Sequence, residues 1–162
     1  MFYEELFAAL AKHRVAYAVI GGLAVNLHGV PRMTYDVDIV CARTSENLTS
    51  LGHALAELSL RVRQPLLLET FADPEVQRRA REDHNMLALT FVDSNDPLRE
   101  VDVLVATAFD AEAIVARAEA RPWNDLTVSI ASLDDLVQMK TNTGRAQDEA
   151  DVLHLRRLRG GS

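Results

Sequence analysis

The sequence predicts one α/β (α+β) domain, a sheet of about four to five strands flanked by helices, and three observations lead there. Apolar runs of strand length alternate with amphipathic stretches at helical spacing, as in Leu48, Leu51, Leu55 and Leu58. Hydrophobic residues fill 48% of the 162 positions, enough for a self-sufficient core. No repeat, low-complexity tract or composition shift marks a second unit, so residues 1–159 read as a single domain and 160–162 as a flexible tail.

Phe2 to His13 places Phe2, Leu6, Phe7 and Leu10 on one helical face, with Glu4 and Glu5 in the first turn, where they complement the helix dipole. Ala16 to Ile20 is a strand, Leu23 to His28 a short helix closed by Gly29 and Pro31, and Tyr35 to Ala42 a second strand. Thr44 or Ser45 caps the helix that runs through Leu58. Leu60 and Val62 alternate as a short strand before Pro65 breaks it. Asp73-Pro74 opens a helix whose Arg78, Arg79 and Arg81 read as a solvated face.

Met86 to Val92 and Arg99 to Ala106, joined by the polar turn Asp93 to Pro97, form a hairpin. Asp110 to Ala120 is an Ala-rich helix and Leu126 to Ile130 a short strand. Ser132 opens a helix that reaches Lys140 and breaks at Thr143-Gly144, and Gln147 to Arg159 is the last helix.

The chemistry concentrates between Ile20 and Val40. The chain leaves the first strand at Gly21-Gly22, where close backbone approach brings N–H groups within reach of a phosphate. In the strand that follows, the two-residue period puts Arg32, Thr34, Asp36 and Asp38 on one face, with Met33, Tyr35, Val37 and Ile39 on the other. Asp is depleted in strands, and two like charges one pleat apart repel unless a cation lies between them. Oxygen ligands of that kind suit magnesium or manganese. Asp102 lies among valines on the second hairpin strand. It is either satisfied by a backbone or Arg partner or is the third member of a metal site. Lys140 and Arg145 flank a glycine break and are either surface charges or phosphate contacts.

Gly21-Gly22, His28-Gly29 with Arg32-x-Thr34, and Asp36-x-Asp38 together resemble the DNA polymerase β-type nucleotidyltransferases, nearest their small bacterial AbiEii-type and minimal members. The tail from Lys140 through Arg145 to Asp148 and Asp151 is also similar to that family. The resemblance implies a nucleotidyltransferase-type mixed sheet, with the third acid on a strand beside the Asp-x-Asp strand, and assigns that acid to Asp102. It implies Asp36, Asp38 and Asp102 as catalytic and metal ligands for Mg2+ or Mn2+, and Gly21, Gly22, Arg32, Thr34, Lys140 and Arg145 as nucleotide contacts. Gly-Gly replaces the Gly-Ser of much of the family, which removes a hydroxyl that often contacts the triphosphate.

The implied activity is transfer of a nucleoside monophosphate from a nucleoside triphosphate to a hydroxyl acceptor, whether tRNA, protein or small molecule. A toxin–antitoxin setting is implied too, with an antitoxin or toxin as partner. Two alternatives stand beside it: a catalytically inactive nucleotidyltransferase-fold binding or antitoxin module, and a metal-dependent nuclease, for which no Glu-x-Lys strand is present. The net charge of −7 removes any global attraction to nucleic acid. The lone Cys41, the absence of a membrane-length apolar run and the lack of a charged-then-apolar leader point to a reducing cytoplasm and no membrane partner.

Overall fold

A computed structural model describes residues 1–161 of the chain. The elements run α1 (Phe2–Lys12), β1 (Tyr17–Ile20), α2 (Gly21–Leu27), β2 (Val37–Cys41), α3 (Ser45–Glu57) and β3 (Leu60–Val62). After a 3-10 turn at Leu68–Ala72 come α4 (Pro74–Asp83), β4 (Ala88–Asp93), β5 (Glu100–Leu104) and α5 (Ala111–Ala116). The chain closes with β6 (Glu119–Trp123), β7 (Leu126–Ile130), α6 (Leu133–Lys140) and α7 (Ala146–Gly160). All strands join one mixed sheet in the order β3-β4-β5-β2-β1-β7-β6. β2 runs parallel to β5 and β1 parallel to β7, while the remaining pairs are antiparallel.

Seven strands, rather than four to five, make up the sheet. The difference falls largely on β6, which sequence reading buried in the end of an Ala-rich helix. That helix stops at Ala116, and Glu119–Trp123 turns back to pair with β7 through a tight Asn124-Asp125 connection. Pro122 is tolerated because β6 is the edge strand. Trp123 anchors it, packing edge-on against Tyr3 and Phe7 of α1 with ring centroids 5.8 and 5.7 Å apart.

Two other boundaries differ. β2 begins at Val37, so Arg32, Thr34 and Asp36 lie on an irregular segment before the strand rather than on its face. The backbone carbonyls of Thr34 and Tyr35 accept hydrogen bonds from the Tyr3 hydroxyl at 3.3 and 3.0 Å, which holds this segment off the sheet and against α1. α7 extends through Gly160, so the tail there is helical, and Ser162 lies outside the described residues. Predicted caps at Thr44, Asp73 and Ser132 accept backbone hydrogen bonds from Asn47, Glu75 and Asp135.

Val37, Ile39, Val101, Val103 and Leu89 are fully buried in the sheet's centre. α1 and α3 pack on each other, α1 also against β7, and α5 against β1 and β2. Asn47 of α3 ties this layer to the sheet. Its amide donates to the carbonyls of Ala16 and Ala42 at 2.9 and 2.8 Å and accepts from the Ala16 N–H at 2.8 Å. Substituting Asn47→Ala would strand these buried backbone groups, and urea denaturation should show a loss of about 2–4 kcal/mol. A loss no larger than that of an exposed alanine substitution would contradict this role.

Candidate active site

The site forms where β1, β2 and β5 end side by side. β2 and β5 pair in parallel register with Asp38 opposite Asp102, and Ile20, the last residue of β1, pairs with Asp38 from the other side. Residues opposite one another on neighbouring strands share a face, so the two half-buried carboxylates point the same way, flanked by fully buried valines and isoleucine that point the other. Asp36 is exposed, one residue before β2.

Gly21 leaves β1 at φ +65° and opens α2 directly, two residues earlier than the sequence spacing predicts. A Cβ there would lie 2.2 Å from Oδ2 of Asp38. Both the left-handed backbone and the carboxyl packed against it require glycine. At Gly22 a Cβ would stand 3.1 Å from the Arg32 guanidinium carbon and 3.1 Å from the Thr34 hydroxyl. The segment before β2 therefore folds back over the glycine turn, held by the Asn26 amide donating to the Arg32 carbonyl at 2.6 Å. The position a serine would occupy in a Gly-Ser sequence is already crowded by Arg32, with a threonine hydroxyl alongside.

Burial pushes the Asp38 carboxyl up to about 6, assisted by the charges of Asp102 and Asp36 and opposed by Lys140 and Arg145. Four charged groups therefore act on Asp38. The Thr90 hydroxyl, on β4 opposite Asp102, donates to its Oδ1 at 2.6 Å. Thr90 is a residue sequence reasoning missed, since one threonine among alternating strand residues carries no signal before the register is known.

The basic residues are arranged differently from the sequence expectation. Lys140, only 8% exposed, donates to Asp148 at 2.9 Å and lies 3.0 Å from Asp151. Arg32 also pairs with Asp151, itself 1% exposed, and the Gln147 amide donates to the other oxygen of Asp151 at 3.0 Å. Asp148 further accepts from Thr143 at 2.8 Å and Arg145 at 2.7 Å. Burial raises the Asp148 carboxyl, but the hydrogen bonds from Lys140 and Thr143 and the charges of Lys140 and Arg145 outweigh it and hold it below the usual range. Lys140 is therefore the hub of a buried network joining α6 and α7 to the glycine turn, and Arg145 is the mostly exposed cation of the three.

The ion pairs of this region run between Arg32, Lys140 or Arg145 and Asp148 or Asp151; among the described residues none reaches Asp36, Asp38 or Asp102. Three carboxylates without a paired cation suit a hard divalent ion in donor chemistry and charge. Among the described residues, however, no three His, Cys, Asp or Glu side chains are drawn together as a formed metal-binding cluster. A cleft of about 470 Å³ opens over this site, with Gly21, Asp38, Lys140, Thr143 and Arg145 in its lining and Leu104, Phe109 and Met139 continuing it.

Solved structures agree on the fold that holds this glycine turn beside paired acids on adjacent strands. The chain is similar to the antibiotic-resistance factor ANT(2'')-Ia, with 13% identity, 97% of this chain and 80% of that one covered, and a TM-score of 0.59. It is similar to the lincosamide antibiotic adenylyltransferase LnuA in its lincomycin-bound form (13% identity, 96% of each chain, TM-score 0.58). A nucleotidyltransferase-like protein from Paracoccidioides brasiliensis also superposes, at 18% identity over 97% of this chain and 75% of that one, with a TM-score of 0.55. No protein-family model and no curated protein matches the sequence. The chain has the fold of the polymerase β-type nucleotidyltransferases.

The raised Asp38 group sets a pH dependence. With a folded-state value of about 6 against an ordinary 3.8, the folded protein binds more protons than the unfolded chain in that window, so this group adds stability as pH falls through it. At about pH 8 its burial and like-charge cost is fully felt. In chelator-treated buffer, Asp38→Asn should raise Tm by a few degrees at about pH 8, and the gap should close toward about pH 4. A lower Tm for the variant at the higher pH would contradict this assignment.

Proposed function

We propose that the protein transfers a nucleoside monophosphate from a nucleoside triphosphate to a hydroxyl group on an acceptor, in a divalent-metal-dependent reaction. The observation that carries the reading is the in-register pair Asp38 and Asp102, with Asp38 packed against Gly21 and neither carboxylate in an ion pair among the described residues.

Nucleotidyl transfer needs in-line positioning and charge neutralisation more than covalent chemistry. The N–H groups of the Gly21-Gly22 turn face the incoming phosphates, and Arg32, fixed by Asp151, lies over the same turn. Arg145, mostly exposed and paired with Asp148, adds a cation at the cleft, while Lys140 works at one remove by holding Asp148 and Asp151 in place. Asp36, Asp38 and Asp102 would hold Mg2+ or Mn2+, which supplies Lewis-acid stabilisation of the phosphoryl charge and lowers the pKa of the attacking hydroxyl. Thr90 occupies one oxygen of Asp102 and leaves the other to take the acceptor's proton. The acceptor oxygen bonds to the α-phosphorus, the bond to the bridging oxygen of the β-phosphate breaks, and pyrophosphate departs.

For the acceptor, the excess of acidic residues favours a small molecule or a protein hydroxyl over a long polyanion such as tRNA. Two of the similar structures are described by their antibiotic chemistry, an adenylyltransferase for lincosamides and a factor solved with adenylyl-2''-tobramycin, which supports a small hydroxylated acceptor. The AbiEii-type likeness extends the proposal to a toxin–antitoxin setting. Among the described residues no helix is long and apolar enough to cross a membrane.

Incubation with magnesium, each α-labelled nucleoside triphosphate, and lysate, total tRNA or hydroxylated small molecules as acceptors should give label transfer. Asp36→Asn and Asp38→Asn should each cut the rate by about 10²–10³-fold, the usual consequence of removing a group aimed at developing charge. Undiminished transfer by Asp38→Asn would overturn the site. Absence of transfer would favour the inactive binding module, and polymer cleavage the nuclease.

A further inference from the structure

We propose that Phe109, backed by Met139, is the platform on which the base of the nucleotide stacks. This rests on the transferase reading and adds the half of the ligand site that the carboxylates and glycines leave undescribed.

Phe109 is 37% exposed, on an exposed turn that also holds Ala108 and Asp110 and that follows directly on buried Val105, Ala106 and Thr107. The segment is firmly held. Both the Val105 and Ala106 N–H groups donate to the Leu87 carbonyl at 3.0 Å, and the Arg43 guanidinium donates to the Thr107 hydroxyl at 2.8 Å. Immediately after Phe109, Asp110 caps α5 by accepting from the Ala113 N–H at 3.0 Å. The aromatic ring is thus presented from a well-anchored turn and lies partly open in the cleft lining.

Its surroundings fit a flat ring. Phe109 and Met139 line the cleft that contains Asp38 and also a neighbouring cavity of about 280 Å³, so the pair forms the wall between the two. Leu104, which shares the cleft, is two residues beyond Asp102 on β5, about 7 Å further along the same face. One continuous cleft therefore offers a glycine turn and cations to a polyanion and, a short step away, an apolar wall to a ring. A nucleoside triphosphate has both features in one molecule. An acceptor ring alone would not need the turn and the cations.

Calorimetric titration in the presence of magnesium, without acceptor, tests this with wild type, Phe109→Ala and Phe109→Trp. The probes are each of the four nucleoside triphosphates and inorganic tripolyphosphate. Loss of a stacking partner should weaken nucleotide binding by about 5- to 100-fold in Phe109→Ala, leave tripolyphosphate within about twofold, and be reversed in Phe109→Trp. Unchanged nucleotide affinity in Phe109→Ala, or equal weakening of both probes, overturns the platform while leaving the transferase reading standing. A wild type that binds neither probe overturns both.

Discussion

Everything at this site depends on two carboxylates held opposite one another on adjacent parallel strands. Neighbouring strands lie about 4.8 Å apart, and like charges so placed repel by a few kcal/mol at the effective dielectric of a protein surface. A fold that needed only a packed sheet would put valine or threonine at Asp38 and Asp102, as it does at the positions around them. Burial first, and then the charges of Asp102 and Asp36, raise the Asp38 carboxyl. The sheet tolerates the repulsion because the buried positions on the other face of β2 and β5 fix the register: a one-residue slip would turn Ile39 and Val103 into the cleft.

The second layer of the design is where the positive charge has been put. Lys140 and Arg32 do not stand free in the cleft; they converge on Asp151, which is almost wholly buried. Removing either partner of such a network strands a charge, so these groups bind α7 to the segment that folds over Gly22. The consequence for chemistry is precision of placement. Arg32 is fixed over the glycine turn by a carboxylate from the far end of the chain, and Arg145, mostly exposed, pairs with Asp148 at the rim. With Arg32 and Thr34 crowding Gly22, the missing serine of a Gly-Ser turn is a consequence of local packing.

Much of the arrangement was legible in the sequence because it is local. The strand, glycine pair, short helix and Asp-x-Asp strand lie within about twenty residues, where periodicity and turn chemistry suffice. The β4–β5 hairpin was equally legible from its apolar runs and polar turn. What escaped is long-range. β6 was lost because Ala-rich residues favour helix until pairing with β7 and the Trp123 contact with α1 override them. The departure of Arg32, Thr34 and Asp36 from the strand is imposed by Tyr3, more than thirty residues away. Thr90 and Asp151 become site residues only through register and tertiary pairing, and Phe109 only through the packing that sets it beside Met139 in the cleft lining.

The proposal that the three acids share divalent cations can be tested without knowing the acceptor. Manganese binding followed by electron paramagnetic resonance, with a non-hydrolysable nucleoside triphosphate analogue present, addresses it directly. The wild type should take up about two ions per chain, and a variant with asparagine at positions 36, 38 and 102 should take up none beyond those carried by the nucleotide. A variant that binds manganese as the wild type does would show that these acids serve some other end.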